Sequence, residues 1–226
     1  MKIQSKPFFF IGAICFIVAF FLTCLDISSF NRDFYKKEYA QLNTAAEIGM
    51  SEADLTHTTE VLLDYIQNKR ADLDVMATIS GVDRAVFNEK EILHMVDVKN
   101  LYLDAMMVRN FSWVGFIVMI GIGIMISKKD SIFALSDMFL KAIVSTLSVL
   151  TLLGIYALVD FNSFWLQFHY IFFTNDLFFL DPNTDILIQM VPSQFFFDLV
   201  FKIVSTFGIG ILLVCLVSIY FRRKKA

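Results

Sequence analysis

PFFFIGAICFIVAFFLTCL, residues 7–25, is an almost unbroken apolar stretch near the beginning of the chain. As an α-helix it rises roughly 28 Å, which is enough to cross the hydrocarbon layer of a bilayer. A secretory signal has a shorter apolar core and a small-residue cleavage site, and neither is present here. The stretch therefore predicts a retained first membrane span.

Three further apolar runs follow along the chain, at 111–126, 142–159 and 203–221. The second run is short for a span unless its helix begins upstream, near Ala105. The sequence is 57% hydrophobic and 18% charged, whereas soluble domains are nearer 45–50% and about 25%. We predict an all-α polytopic membrane protein in which residues 1–226 form one membrane domain with four transmembrane helices.

Lysine and arginine are unevenly distributed between the connecting segments, and this bias predicts the orientation. They occur at the N-terminus (Lys2, Lys6), between spans two and three (Lys128, Lys129, Lys141) and in the tail (Arg222 to Lys225). The connection 160–194 has neither residue and carries four aspartates. Both termini are therefore expected in the cytoplasm, with 26–110 and 160–194 on the extracytoplasmic side.

The extracytoplasmic region between spans one and two, 26–110, is predicted to be mainly helical. Ser51 followed by Glu52 and Asp54 is typical of a helix N-terminus, and Asn88 to Glu91 is another, with a helix that can continue into span two. The interval 74–81 is turn-rich with some β-branched residues and favours no element. In 160–194, an aromatic run at 161–173 predicts a segment at the outer lipid boundary, because so many exposed rings are unfavourable in water.

Several classes of protein are excluded by what the chain lacks. It has no basic patch for nucleic acid and no glycine-rich phosphate loop. Its three cysteines, Cys15, Cys24 and Cys215, lie within apolar runs, so neither a disulfide framework nor a thiol oxidoreductase is expected. No serine lies in a nucleophile motif, so a substrate would have to supply its own nucleophile.

The three histidines, His57, His94 and His169, all fall on the predicted outer side. Imidazole exchanges protons near neutral pH, and a carboxylate one helical turn away, as Asp97 is from His94, can fix its tautomer. His169 has Asn175 and Asp176 nearby in the sequence. The ordinary alternative is that these are surface histidines. A three-histidine zinc site is a further alternative, although no two histidines are spaced in the sequence so that both would lie on one face of a helix.

Two motifs resemble the signatures of the lipoprotein intramolecular transacylases, a family of bacterial integral membrane proteins. The first is His94-Met-Val-Asp97-Val-Lys99. The second begins at Phe161-Asn162, reaches Phe168-His169, and continues through Asn175-Asp176-Leu177, Leu180-Asp181-Pro182, Thr184-Asp185 and Leu187 to Pro192. Phe178 stands where the family's pattern has a tryptophan, and Ser193-Gln194 where it has an acid, so the resemblance implies no carboxylate role at 193–194.

The resemblance implies a reaction on diacylglyceryl-modified bacterial lipoproteins in the cytoplasmic membrane. The sn-2 acyl chain moves to the α-amine of the N-terminal cysteine, which leaves a lyso-form lipoprotein. His94 and His169 would be the catalytic acid–base pair. The supporting residues implied are Asp97, which would orient His94, together with Lys99, Asn162, Asn175, Asp176, Asp181 and Asp185. No cofactor, no metal and no nucleic acid are implied.

Two other functions are compatible with the residues alone. One is a non-enzymatic accessory or assembly protein that docks partners through its exterior helices. The other is a metal-dependent membrane hydrolase. The aspartates Asp176, Asp181 and Asp185 are likewise compatible either with a carboxylate cluster or with simple capping of turns.

Overall fold

A computed structural model describes residues 4–127 and 131–224 of the chain. Lys2, Lys128, Lys129 and Lys225, which enter the predicted orientation, lie outside these residues. The helices and strands occur in the order α1 Lys6–Ser29, α2 Arg32–Leu42, α3 Thr44–Ile48, α4 Glu52–Ile66, β1 Met76–Ile79, β2 Val82–Ala85, α5 Glu89–Ser127, α6 Ser131–Val159, α7 Phe161–Phe172, α8 Ile186–Met190 and α9 Ser193–Arg223.

Four helices are long and apolar enough to cross a membrane: α1, α5, α6 and α9. The α5 helix has 39 residues. Its rise of about 58 Å is roughly twice the hydrocarbon thickness, so the helix extends well beyond the apolar run at 111–126. The prediction that the helix beginning near Asn88 continues into the second apolar run is confirmed.

The chain divides into two compact units. The first contains the described parts of 1–27, 105–159 and 201–226. Its core is formed by apolar side chains of α1, α6 and α9, including Ile17, Ile143 and Phe207, with α5 contributing Phe116 and Ile120. An ion pair joins Arg109 Nη1 to Asp26 Oδ2 at 2.5 Å, and thereby ties α5 to α1 within this unit.

The second unit contains residues 28–104 and 160–200. Phe195, at the beginning of α9, is fully buried and packs against Phe34, Tyr35 and Tyr39 of α2. The predicted N-terminus at Ser51 is confirmed, because its hydroxyl accepts the backbone N–H of Asp54 at 3.0 Å and so caps α4.

The all-α prediction misses a small β-hairpin in this unit. Strands β1 and β2 pair antiparallel, from Met76 opposite Ala85 to Ile79 opposite Val82. Ser80 and Gly81 connect them with φ of 51° and 83°, the left-handed values that a tight hairpin turn requires. Only alternate residues of β1 are buried. An alternation over so few residues does not distinguish a strand from a turn in the sequence.

A second correction concerns Lys141, predicted to lie in the turn before span three. The α6 helix begins at Ser131, so Lys141 is a helical residue whose Nζ contacts Asp137 Oδ2 at 2.9 Å, one turn earlier. Ala134, Met138 and Phe139 of this stretch are buried, so apolar packing favours a helix that continues through the polar residues between them.

Candidate active site

His94 and His169, which are far apart in the sequence, lie side by side in the second unit. Their ring centroids are 6.1 Å apart and the planes differ by 30°. His94 is in the second turn of α5, and His169 is in the last turn of α7. Two imidazoles at this separation can both reach the groups around one ester bond.

Aromatic side chains surround His169. Trp165, Phe173 and Phe178 have ring centroids between 5.0 and 5.6 Å from it. Phe173 also packs edge-on against His94 at 5.3 Å. These rings exclude water from one side of the pair, and burial lowers the pKa of His169 because a charged imidazole is poorly solvated there; the carbonyl of Trp165 partly offsets this.

The tautomer of His169 follows from one hydrogen bond. Its Nδ1 lies 2.7 Å from the backbone carbonyl oxygen of Trp165, one helical turn earlier. A carbonyl oxygen accepts only, so Nδ1 carries the proton and donates it. In the neutral ring Nε2 is then unprotonated, and a nitrogen in that state can remove a proton from a substrate.

His94 is 6% exposed, and its Nδ1 is a buried atom with no hydrogen-bond partner among the described residues. The sequence predicted that Asp97 would orient His94, but Asp97 makes no hydrogen bond to this nitrogen. Asp97 Oδ2 instead accepts the Nδ2 amide proton of Asn175 at 2.8 Å. A buried polar atom without a partner costs free energy, and such atoms often occur where a substrate supplies the partner.

The other predicted supporting residues fall into two groups. Asp181 and Asp185 organise the turn before α8: Asp181 Oδ1 accepts the backbone N–H of Asn183, and Asp185 Oδ2 accepts that of Asp181. Burial raises the pKa of Asp185, but hydrogen bonds from Asp181, Asn88 and Thr184 outweigh it, so the pKa lies below its usual value. These aspartates therefore act at least as turn residues.

The second group comprises Lys99, Asn162 and Asp176. Lys99 places its ammonium 4.4 Å from the ring centroid of Tyr65. Asn162 and Asp176 are exposed, and within residues 4–127 and 131–224 no hydrogen bond joins either one to a histidine. His57 is exposed on α4. Over the same part of the chain, no cluster of three His, Cys, Asp or Glu side chains could hold a metal ion.

Two residues beside the pair were missed in the sequence. Glu91 is buried on α5, one turn before His94, and Lys90 donates to the carbonyl of Phe179. Both read in the sequence as ordinary polar residues of an exposed helix start. Only the packing of segment 173–187 against this turn, which no local pattern encodes, reveals their contacts.

The sequence and the fold were compared with known proteins. A family model described as lipoprotein intramolecular transacylase Lit matches residues 10–196. The structure of the membrane-integral lipoprotein intramolecular transacylase Lit from Bacillus cereus matches with a TM-score of 0.77 and 19% identity, over 98% of this chain and 97% of that one. No curated protein matches the sequence significantly.

Two variant structures of the same Bacillus cereus protein, with one histidine replaced by arginine or by alanine, also match. Each has a TM-score of 0.74 at 18% identity and covers 98% of this chain, with 93% and 94% of the respective variant chains. At these identities the likeness establishes a common fold across both units.

Proposed function

The chain belongs to the lipoprotein intramolecular transacylase family, and on this basis we propose that it moves the sn-2 acyl chain of a diacylglyceryl lipoprotein to the α-amine of the lipoprotein's own N-terminal cysteine. The product is a lyso-form lipoprotein with an N-acyl cysteine. The observation that carries the proposal is the adjacency of His94 and His169, 6.1 Å apart between ring centroids. Donor and acceptor belong to one molecule, so alignment removes much of the entropic barrier.

The hydrogen bond to Trp165 supports His169 as the base. The uncharged amine attacks the sn-2 ester carbonyl carbon, and Nε2 of His169 takes the proton that the nitrogen releases. The bond from the carbonyl carbon to the glycerol oxygen breaks, and the proton passes from His169 through the neutral His94 to that oxygen, so that both imidazoles end neutral as they began. One proton thus passes from nitrogen to oxygen overall, and no acyl-enzyme forms.

The supporting residues are proposed to act around this pair. Asp97 holds Asn175, whose amide is a candidate donor to the developing oxyanion, and Asp181 and Asp185 fix the turn that follows. Asn162 and Asp176 are exposed and Lys99 is half-buried, and all three are proposed as contacts to lipid or peptide groups of the substrate rather than as acid–base groups.

The location of the site is also a proposal. We expect spans at 7–25, 111–126, 142–159 and 203–221, both termini in the cytoplasm, and the regions 26–110 and 160–194 on the extracytoplasmic side. The α7 helix has no buried residue, and Tyr170, Ile171 and Phe172 are exposed. An aromatic helix with exposed rings is suited to the lipid boundary, where the substrate ester is expected.

The reaction is tested by producing the chain in a bacterial strain whose lipoproteins are only diacylated, and fragmenting a lipoprotein N-terminus by mass spectrometry. The wild type should give N-acyl, S-monoacylglyceryl cysteine. His94→Ala and His169→Ala should each reduce the rate about 10²- to 10⁴-fold, since each removes one positioned acid or base.

His57→Ala is the matched control, because His57 is exposed and lies on α4. It should convert lipoproteins at the wild-type rate. An unchanged diacyl form in cells that contain well-inserted wild-type protein would support the accessory function instead. Wild-type conversion by either the His94 or the His169 variant would exclude the acid–base pair.

A further inference from the structure

A buried carboxylate lies one turn before His94 and is unused by the mechanism above. Glu91 is 1% exposed. With Asn88 it forms a capping box: the Asn88 side-chain oxygen accepts the backbone N–H of Glu91 at 3.0 Å, and Glu91 Oε2 accepts the backbone N–H of Asn88 at 2.7 Å. Asn88 is exposed, as a capping residue usually is, so the burial of the Glu91 side chain requires another explanation.

The explanation is the second carboxylate oxygen. Glu91 Oε1 accepts the backbone N–H of Leu187, in the first turn of α8, at 2.6 Å. Beside it, Asn88 Nδ2 donates to Asp185 Oδ1 at 2.8 Å. The N-terminus of α5 is therefore bonded to the turn at 181–187 by two neighbouring polar contacts, one buried and one partly buried.

These two contacts are part of a longer row. Segment 173–187, which follows α7, is held at four points by α5 and the residue before it: Asn175 by Asp97, the Phe179 carbonyl by Lys90, Asp185 by Asn88, and Leu187 by Glu91. His94 lies between Glu91 and Asp97 on α5. The same segment contributes Phe173 and Phe178, which pack on His94 and His169.

We propose that Glu91 is a positioning residue for the transacylation: by fixing segment 173–187 along the first turns of α5, it keeps His169 and its aromatic enclosure against His94. The inference rests on the proposed function and deepens it. Glu91 touches neither imidazole and takes no proton from the substrate. It acts through the backbone N–H of Leu187.

A carboxylate is needed because two N–H groups must be accepted at once. A glutamine has the same shape but only one oxygen, so its amide nitrogen would face an N–H donor and one contact would be lost. Loosening the segment shifts the two imidazoles relative to the ester, and a misplacement near 1 Å can cost about 10²-fold in rate.

The test is the rate of conversion of a purified diacylglyceryl lipoprotein by purified Glu91→Gln enzyme in detergent micelles, per monodisperse folded protein. We expect kcat to fall about 10- to 100-fold while KM stays within about twofold. Glu89→Gln is the matched control, because Glu89 is exposed in the same helical turn and loses the same charge. It should retain wild-type kcat.

A second readout measures position rather than rate. In protein with Cys15, Cys24 and Cys215 replaced by alanine, His94→Cys together with His169→Cys should be cross-linked efficiently by a short bismaleimide. Adding Glu91→Gln should lower the cross-linked fraction several-fold in protein that remains monodisperse. A residue with only a general stabilising role would leave this fraction unchanged.

If Glu91→Gln aggregates, Asn88→Ser tests the positioning of segment 173–187 instead. Serine keeps a capping oxygen but has no amide to donate to Asp185. It should lower kcat about 3- to 10-fold through the same segment. Wild-type kcat in Asn88→Ser or folded Glu91→Gln, or an unchanged cross-linked fraction, would overturn the inference while leaving the transacylation intact. A wild-type enzyme that makes no N-acyl product would instead overturn the proposed function.

Discussion

His169 shows how an imidazole is kept uncharged at the proposed site. Its ring is enclosed by Trp165, Phe173 and Phe178, and its Nδ1 proton is held by the Trp165 carbonyl. Burial lowers its pKa below the usual value of an imidazole. The neutral form, which is the form that can accept a proton, is therefore kept at lower pH than in a solvated histidine.

This predicts the pH dependence of the reaction. The proposed base, His169, is protonated only when pH falls below its lowered pKa, whereas the substrate amine, with a reference pKa of about 8, becomes reactive as pH rises. The rate should therefore increase from pH 6 to 8 with the amine and show no separate inflection near 6.5. Initial rates on a purified lipoprotein in micelles measure this, and an inflection near 6.5 would show that His169 is solvated.

At the scale of the elements, close helix packing in the first unit depends on small residues. A Cβ added at Gly210 of α9 would collide with the ring of Phe20 on α1, which is itself packed between Phe16 and Phe207. Gly208, two residues earlier on the same helix, has nothing within 4 Å of an added Cβ. The two glycines differ only in what they face.

Gly210→Ala should therefore destabilise the protein by about 1–3 kcal/mol through overpacking, whereas Gly208→Ala should be neutral or stabilising by up to about 1 kcal/mol. Thermal unfolding in detergent measures both. A Gly210→Ala protein that melts with or above the Gly208→Ala protein would show that α1 and α9 are not this close.

The sequence predicted the long elements well and the short ones poorly. Helix starts at Ser51 and Asn88 were predictable because caps are local, and the apolar runs because membrane spans need about 20 apolar residues. The hairpin at 76–85 was not, since four-residue strands carry too little periodicity. Glu91 was predicted as a helix start, but its contact to Leu187 joins residues far apart in the chain and leaves no local signal.

The candidate site was predictable only in part, because its sequence motifs are local but its side-chain contacts are not. Two signatures containing His94 and His169 identified the pair, and the structure brings the rings together. The Asp97 contact to Asn175, rather than to His94 Nδ1, depends on how α5 packs against segment 173–187. Side-chain partners across such an interface follow from packing, which spacing along one helix does not contain.

For the whole molecule, the charge distribution predicts one orientation in the membrane. In protein with its natural cysteines replaced by alanine, His57→Cys should react with a membrane-impermeant maleimide in intact cells, or in spheroplasts where an outer membrane must be removed. Lys224→Cys should react only after the membrane is opened. Both positions are exposed, so access depends on the side of the membrane alone. The reverse labelling pattern would contradict the extracytoplasmic placement of the site.

The most direct test of the account is a crossover experiment with two diacylglyceryl lipopeptides of different peptide mass, one bearing deuterated acyl chains. After incubation of the mixture with the purified protein, the N-acyl cysteines are analysed by mass spectrometry. Each peptide should carry only its own acyl chain, and no N-acyl product should form with His94→Ala or His169→Ala in the same time. Exchanged acyl chains, or products made equally well by both variants, would contradict self-reaction of the substrate between the two imidazoles.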